Sequence, residues 1–264
     1  MIPTQLSPKT LDKLLRRYMQ GEGKVALCRE FRIRESRFDI LARDNGVKVR
    51  DRHARIRTLR EDAFDDLRSA AAAYWYGFLL GDGSIVPRGG TWQISVTLQG
   101  TDLGHLEKLK AFMCSENKIT FYRRTAQRKS GSAIWQVTSK ALGDSLIRRG
   151  FAARKSFTAV IPEEGAKSRH FWRGLVDADG TLGCYGGNTP GRRRLGLCGS
   201  KPVVEAFRKW VADTWGGDLP SVVPHCNIFY LSLNGKIATA VARELYHNAD
   251  PSLERKQAIV DAWD

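Results

Sequence analysis

The sequence predicts an α+β protein with two pseudosymmetric αββαββα repeats and antiparallel sheets, preceded by a small all-α domain. Three patterns support this prediction. A helical pattern that ends in Asp-Gly occurs twice, alternation of apolar and polar residues follows each copy, and the first quarter of the chain contains short helical patterns. We expect the domains to span residues 1–48 (all-α), 49–68 (a basic linker), 69–160 (first repeat) and 161–264 (second repeat).

The repeated helix is the most informative feature of the chain. It reads AYWYGFLLGDGSI at residues 73–85 and HFWRGLVDADGTL at residues 170–182, an interval of 97 residues. Each copy places two small residues four positions apart, on one face of the helix. Two such helices can cross with their backbones in close approach. The small residues are Gly77 and Gly81 in the first copy and Gly174 and Ala178 in the second.

Each copy ends in an acid followed by a glycine. Gly83 and Gly180 stand where a left-handed residue commonly ends a helix. Asp82 and Asp179 therefore lie at the C-terminal ends, where the helix dipole is negative and disfavours a carboxylate. A divalent metal would remove the repulsion between two converging acids. The alternative is a pair of buried helices with ordinary Asp-Gly turns, which explains one copy better than two matching copies.

With these residues aligned, the chain resembles a LAGLIDADG homing endonuclease of the single-chain, two-repeat type. Residues 75–83 (WYGFLLGDG) and 172–180 (WRGLVDADG) match the nine-letter motif without gaps. The resemblance implies site-specific, metal-dependent cleavage of double-stranded DNA at a long, non-palindromic target. It also implies that the acid at the eighth motif position binds the catalytic metal, with the preceding backbone carbonyl as a further ligand. The implied metal ligands are Asp82, Asp179 and the carbonyls of Gly81 and Ala178.

Further expectations concern the cation and two lysines. Carboxylate and carbonyl oxygens without His or Cys suit a hard cation, so we expect Mg²⁺, with Mn²⁺ or Ca²⁺ able to occupy the same sites. The sixth motif position is Asp177 in the second copy but Leu80 in the first, so Asp177 is assigned no catalytic role. The resemblance implies lysines near the scissile phosphates, and the Arg-Lys pair after each repeat nominates Lys155 and Lys256 as catalytic residues. Ordinary surface lysines are the alternative.

Period-two alternation predicts strands after each copy of the helix. Apolar and polar residues alternate over 92–99 and 118–124, for example, so Phe121 is expected to face a core. The resemblance makes these strands two DNA-reading sheets, whereas the alternative is a solvent-facing polar surface. The residues expected on the DNA-binding faces are Gln93, Ser95, Thr97, Gln99, Arg124, Gln136 and Thr138 in the first repeat, and Arg192, Arg194, Tyr230, Ser232 and Asn234 in the second.

The N-terminal domain is predicted to contain three short helices. The first follows Ser7-Pro8, the second covers roughly residues 24–31, and the third covers 35–44 after a turn at 32–34. This order resembles a helix-turn-helix of the resolvase-like kind, although Arg32 stands where such turns often have glycine. The alternative is a three-helix packing module with a solvated basic face. The residues expected to enter a major groove are Arg34, Ser36 and Arg37.

The composition favours a nucleic-acid partner. The formal net charge is +15, the pI is near 9.9, and the first 60 residues carry +9 of the excess. A polyanion such as double-stranded DNA suits this charge. Five cysteines without a CxxC pair are expected to be reduced, and no transmembrane run or secretory signal is found. We expect a cytoplasmic, nucleoid-associated monomer in a prokaryote or a phage-infected cell, with an organelle as the alternative location.

Three other functions compete with the nuclease. An RNA maturase would use the same fold to bind intron RNA, although a helix-turn-helix favours duplex DNA. A DNA-binding transcriptional regulator would need no metal site, so the presence of both Asp82 and Asp179 counts against it. An intein is not expected, because the chain starts at Met1-Ile2 without a nucleophile and its only His-Asn pair, at 247–248, is internal.

Overall fold

The computed structural model describes residues 6–20, 22–47, 49, 59–123, 131–151, 161–185 and 191–263. The chain divides into two compact units, Met1–Arg57 and Thr58–Asp264. Each unit has its own hydrophobic core. In the part of the chain that is described, no helix is long and apolar enough to cross a bilayer.

The described residues of the smaller unit contain three helices whose ends lie close to the predicted ones. The Ser7 side chain caps the first helix by accepting from Thr10 N, and Arg32, in the turn before the third helix, has a φ of 54°. Arg32 thus adopts the left-handed conformation for which glycine is normally used. The core is built from residues of all three helices, including Leu14, Leu27 and Phe38. The helices are α1 (Pro8–Met19), α2 (Lys24–Glu30) and α3 (Glu35–Asp44).

The larger unit contains the predicted order of helix, two strands, helix, two strands, helix, given twice. The first repeat comprises α4 (Ala70–Asp82), β1 (Gly83–Arg88), β2 (Thr91–Gln99), α5 (Leu103–Phe112), β3 (Thr120–Tyr122), β4 (Ser132–Thr138) and α6 (Lys140–Arg148). A short helix α7 (Glu163–Ala166) precedes the second repeat. The second repeat comprises α8 (Arg169–Asp179), β5 (Gly180–Cys184), β6 (Arg193–Gly199), α9 (Lys201–Trp215), β7 (Val223–His225), β8 (Ile228–Asn234) and α10 (Lys236–Tyr246), followed by α11 (Glu254–Asp261).

Each repeat has a four-stranded antiparallel sheet, in the orders β1-β2-β4-β3 and β5-β6-β8-β7. The predicted alternation is confirmed in the central strands, since Ile94 and Val96 of β2 and Leu195 and Leu197 of β6 are buried. These side chains and the inner faces of the helices form a single core that includes residues of both repeats. The α+β prediction with two αββαββα repeats is therefore confirmed.

Two sequence predictions need correction in the larger unit. Phe121 was expected in the core, but its side chain is 50% exposed. It lies on β3, a three-residue strand at the edge of the sheet, and among the described strands it pairs with β4 alone. The predicted basic linker at 49–68 is also too long. Ala63, Phe64 and Leu67 are buried, and the Phe64 ring centroid lies 6.0 Å from that of Tyr76, so these apolar residues join the core.

Candidate active site

Helices α4 and α8 cross with their backbones in contact. A Cβ atom added to Gly77 would come closer than 3.0 Å to the Phe171 carbonyl oxygen, and one added to Gly174 would come equally close to that of Tyr74. Tyr74 and Phe171 occupy the same position in the two motif copies, so the contact is symmetric. No larger residue fits at either glycine without moving the helices apart.

The crossing brings the two motif ends together. A Cβ atom on Gly81 would overlap the Cβ atom of Ala178 and would lie 3.1 Å from the Asp179 Oδ2 atom. The Asp179 carboxylate therefore lies beside Gly81 in the last turn of α4, the turn that ends with Asp82. Both acids act electrostatically on the same ammonium group, that of Lys256. The four metal ligands implied by the sequence are thus close neighbours in the structure.

Gly83 and Gly180 are not in the left-handed conformation that the sequence suggested. Their φ values are −76° and −89°, and both residues begin a strand in extended conformation. The reason for glycine is steric instead, because a Cβ atom would lie 2.5 Å from the Leu79 carbonyl oxygen in the first copy and 2.5 Å from that of Val176 in the second. Glycine thus allows each strand to leave immediately beside the last helical turn.

Lys256 supplies a positive charge at the C-terminal end of α8, where the helix dipole is negative. Its side chain is buried, and the Nζ atom donates hydrogen bonds to three backbone carbonyls: Val176 at 2.6 Å, Asp177 at 2.9 Å and Gly180 at 2.6 Å. These contacts use all three donors of the ammonium group. Burial lowers the pKa of Lys256 to about 8. Sequence reasoning expected a cation near this end and nominated this lysine, but not its burial.

Asp177 lies in a buried hydrogen-bond network. The buried carboxylate accepts hydrogen bonds from Tyr74 Oη at 2.7 Å, from the backbone N–H of Leu253 at 2.8 Å and from Tyr246 Oη. Burial raises the pKa of Asp177. The carboxylate therefore joins helix α4 of the first repeat to α10 and the start of α11 in the second. The one sign of this network in the sequence is the acid at a motif position where the first copy has leucine.

The predicted sheet residues lie on the outer faces. In the first sheet, Gln93 pairs with Thr138, and Ser95 pairs with Gln136. Ile134, opposite Thr97, is an apolar residue in the same row. The described members of the predicted first-repeat set are half-exposed or exposed.

The outer face of the second sheet also carries its predicted polar residues. Arg194 pairs with Asn234 across the two central strands, and Cys198 pairs with Tyr230. The Sγ atom of Cys198, which the sequence did not single out, donates to the Asp179 carbonyl oxygen at 3.1 Å. Other predicted residues in this unit are the half-exposed Ser232 and the exposed Arg192, while Arg124 and Lys155 lie outside the described residues.

In the smaller unit, the three predicted DNA-contacting residues lie at the start of helix α3. Arg34 is the N-cap residue, Ser36 and Arg37 belong to the first turn, and all three are exposed. The neighbouring Ile33 and Phe38 are buried and anchor this turn to the core. The three side chains therefore project from a fixed helix start.

Comparison with known proteins identifies the fold. No family model matches the chain, and no curated protein matches it in sequence. Among solved structures, a lysine-to-alanine mutant of I-SmaMI is 11% identical and has a TM-score of 0.51, with 72% of this chain and 88% of that chain covered. The I-SmaMI LAGLIDADG homing endonuclease bound to cleaved DNA is 11% identical and has a TM-score of 0.50, with 72% and 86% covered. The chain therefore has the two-repeat LAGLIDADG fold.

Proposed function

We propose that this protein is a site-specific homing endonuclease that cleaves double-stranded DNA at a long, non-palindromic target by metal-dependent phosphodiester hydrolysis. The observation that carries the proposal is the meeting of Asp82 and Asp179 at a symmetric helix crossing between two sheets. I-SmaMI, which has the same fold, has been captured with cleaved DNA. The single chain with unlike sheets suits a target whose two halves differ.

The donor set at the crossing fits a hard divalent cation. Asp82 and Asp179 would provide carboxylate oxygens, and Gly81 and Ala178 would provide backbone carbonyl oxygens. The described residues include no group of three or more His, Cys, Asp or Glu side chains placed to hold a metal ion, so water would complete the coordination shell. Oxygen ligands and water are what Mg²⁺ prefers, and Mn²⁺ or Ca²⁺ accept the same donors. When bound, such ions activate water and neutralise charge on the phosphoryl and leaving oxygens.

The residues of the chain itself position the acids and the substrate. Lys256 holds the carbonyls around the end of α8 in place, which fixes the backbone that presents Asp179. Its ammonium adds a positive charge close to where a phosphate would bind. Lys155 follows the first repeat at a matching point in the sequence and is proposed for the equivalent role. The outer faces of the sheets bind the DNA on either side.

The test uses purified protein and DNA that contains the insertion site of its own coding element, with Mg²⁺ or with a chelator. We expect cleavage with Mg²⁺ only, and loss of cleavage in Asp82→Asn and Asp179→Asn with DNA binding retained. Asp213→Asn is the matched control, because Asp213 is an exposed acid that pairs with Lys209 on a helix away from the motif. Cleavage by the two motif variants at the wild-type rate would refute the proposal.

Two outcomes of the same assay would favour the competing functions. Binding of duplex DNA without strand scission under any metal condition favours the transcriptional regulator. Preference for folded intron RNA over the duplex favours the maturase.

We also propose that the smaller unit is a helix-turn-helix that adds DNA contacts to those of the sheets. The exposed Arg34, Ser36 and Arg37 at a fixed helix start support this proposal. Arg34→Ala combined with Arg37→Ala should weaken DNA binding and lower the salt dependence, without moving the cleavage position. Lys9→Ala, on the exposed side of α1, is the control. Unchanged binding by the double variant would favour the packing module instead.

A further inference from the structure

The side chain of Arg194 is held in place by its neighbours on the outer face of the second sheet. It lies on the central strand β6, directly opposite Gly183 on β5 and Asn234 on β8. Its Nε atom donates to Asn234 Oδ1 at 3.1 Å. The Asn234 amide is oriented in turn, because its Nδ2 atom donates to the carbonyl and hydroxyl oxygens of Ser232, both at 3.3 Å. One edge of the guanidinium is therefore held by a chain of hydrogen bonds.

The face of the same guanidinium is held by an aromatic ring. The Arg194 Cζ atom lies 4.7 Å from the ring centroid of Tyr185. The ring reaches this place because Gly183 has no side chain, and a Cβ atom there would lie 3.0 Å from Tyr185 Cε2. Stacking on a tyrosine ring stabilises a cation and restricts the rotation of its plane.

The edge of the Arg194 guanidinium that carries the two terminal amino groups is left for a ligand. The two terminal amino groups make no hydrogen bond or ion pair to any residue in the described ranges, and the side chain is only half-buried. With Nε already engaged, these groups form a planar two-donor fork. Such a fork matches the O6 and N7 acceptors of guanine in the major groove. Phosphate oxygens can accept the same two donors, but a phosphate contact would give no preference for one base, so base preference distinguishes the two ligands.

We propose that Arg194 reads one guanine in the half-site bound by the second sheet, with Asn234 and Tyr185 as positioning residues. This inference rests on the proposed function and specifies the base that one position of the site recognises. It also changes the expected role of Asn234, which holds an arginine instead of contacting a base itself. The Arg194 side chain loses its conformational entropy on folding and not on DNA binding, and this preorganisation favours a selective contact.

Among the residues that the structure describes, the first sheet has no equivalent arrangement. Because Gly83 pairs with Val96 and Gly180 with Leu197, Gln93 is the counterpart of Arg194. Gln93 is not stacked on an aromatic ring by any contact among the described residues, and its Oε1 atom accepts from Arg88 Nη1. The proposed guanine contact is therefore assigned to the half-site bound by the second sheet.

The test measures base preference at every position of the target. Wild type and variants are incubated with a duplex library that carries each single-base change of the cleaved site, and bound DNA is sequenced. We expect one position in one half-site where guanine is preferred by about 10-fold or more. Arg194→Ala and Arg194→Lys should remove that preference while the other positions keep theirs. Arg148→Ala, which removes an exposed arginine from helix α6 outside the sheets, is the matched control and should leave the preference intact.

The positioning residues give a second readout. Asn234→Ala and Tyr185→Leu should each reduce the guanine preference in part, whereas Tyr185→Phe keeps the ring and should preserve it. Arg194→Lys retains the charge and most of the stem, so its loss of preference cannot come from a missing charge or from unfolding.

Three results would overturn the inference. If Arg194→Ala weakens binding to all sites equally and lowers the salt slope by about 1, the residue is a phosphate contact. If wild-type preferences are normal and no variant changes them, Arg194 does not read a base, but the proposed nuclease stands. If wild type prefers no site at any position, the proposed function itself fails and the guanine contact with it.

Discussion

The two repeats differ least where their backbones touch and most where their sheets face outward. Gly77 and Gly174 make the same contact from opposite sides of the crossing. On the sheets, Gln93 of the first repeat corresponds to Arg194 of the second. A backbone contact leaves no room for substitution, whereas an outward side chain only has to suit its ligand. The common helix pair thus fixes the positions of the acids, while the outer face of each sheet can differ.

The sixth motif position shows a second kind of difference, inside the core. Leu80 in the first copy is an apolar core residue, while Asp177 in the second is a buried acid with three hydrogen-bond donors around it. One of those donors, Tyr74, comes from the first repeat. The asymmetry therefore ties the two repeats together through a network that a perfectly symmetric pair would not have.

The largest effect should follow from filling the crossing. Gly77→Ala places a Cβ atom against the Phe171 carbonyl oxygen, so the helices must separate, and we expect the free energy of unfolding to fall by about 3 kcal/mol or more. Gly174→Ala should behave alike, because its contact is symmetric. Urea unfolding measures the change.

Gly104→Ala is the control for this experiment. Gly104 is also helical, but a Cβ atom there would have no neighbour within 4 Å, so alanine should stabilise the protein by about 0.5–1 kcal/mol. Equal stability of Gly77→Ala and wild type would show that the backbones of α4 and α8 are not in direct contact.

The next largest effect concerns the buried acid. Asp177→Leu restores the symmetry of the sixth position but leaves two tyrosine hydroxyls and the Leu253 N–H without their acceptor. We therefore expect the free energy of unfolding to fall by about 3 kcal/mol. Thermal or urea unfolding checks it. Leu80→Met, a volume-conserving change at the same motif position, should cost less than about 1.5 kcal/mol. A stable Asp177→Leu protein would mean that the network does not hold the repeats together.

The fold was predictable because its strongest signals are periodic and local. The spacing of small and apolar residues at 73–85 and 170–182 predicts helices, and alternation predicts the central strands β2, β4, β6 and β8. The meeting of the two acids followed from the repeated motif. These features depend on residues close together in the sequence, so a single sequence was sufficient.

The missed features depend on contacts between distant segments. The extended conformation of Gly83 follows from how closely β1 passes the last turn of α4, which no local pattern reveals. The burial of Lys256 depends on α11 packing against the end of α8. Tyr185 was overlooked because its role depends on Arg194, which lies on the neighbouring strand β6. The roles of the metal ligands and of the DNA-contacting residues stay predictions.

A third prediction concerns pH and a difference between the helices behind the two sheets. Helix α5 contains the buried His105, which hydrogen-bonds Tyr74 Oη at 2.9 Å, while α9 has no histidine. Burial lowers the pKa of His105 to about 3, with Lys108 and Arg255 also lowering it and Glu254 opposing them. Because the folded pKa of His105 lies below its unfolded pKa, the neutral histidine contributes to the free energy of unfolding. This contribution is present above about pH 6.5 and is lost as the pH falls towards 3.

When the pH is lowered from 7 to 5, the free energy of unfolding should fall by about 2 kcal/mol because of His105. The measurement is urea unfolding of wild type and His105→Gln at both pH values. The glutamine keeps a hydrogen-bonding side chain but does not titrate, so the difference between the two proteins isolates His105. A pH dependence that is the same in both would assign the effect to other groups.

The smallest effect should come from the first sheet, at the counterpart of Arg194. The Gln93 Oε1 atom already accepts from Arg88, so a base would have to share this oxygen with the Arg88 guanidinium. Gln93→Ala should therefore change base preference at the equivalent position by only roughly 3- to 10-fold, the range of a single neutral hydrogen bond. The same library experiment measures it beside Arg194→Ala. A change as large as that of Arg194→Ala would mean that both sheets recognise their half-sites with equal selectivity, and that the ordering of the arginine by Tyr185 and Asn234 adds nothing.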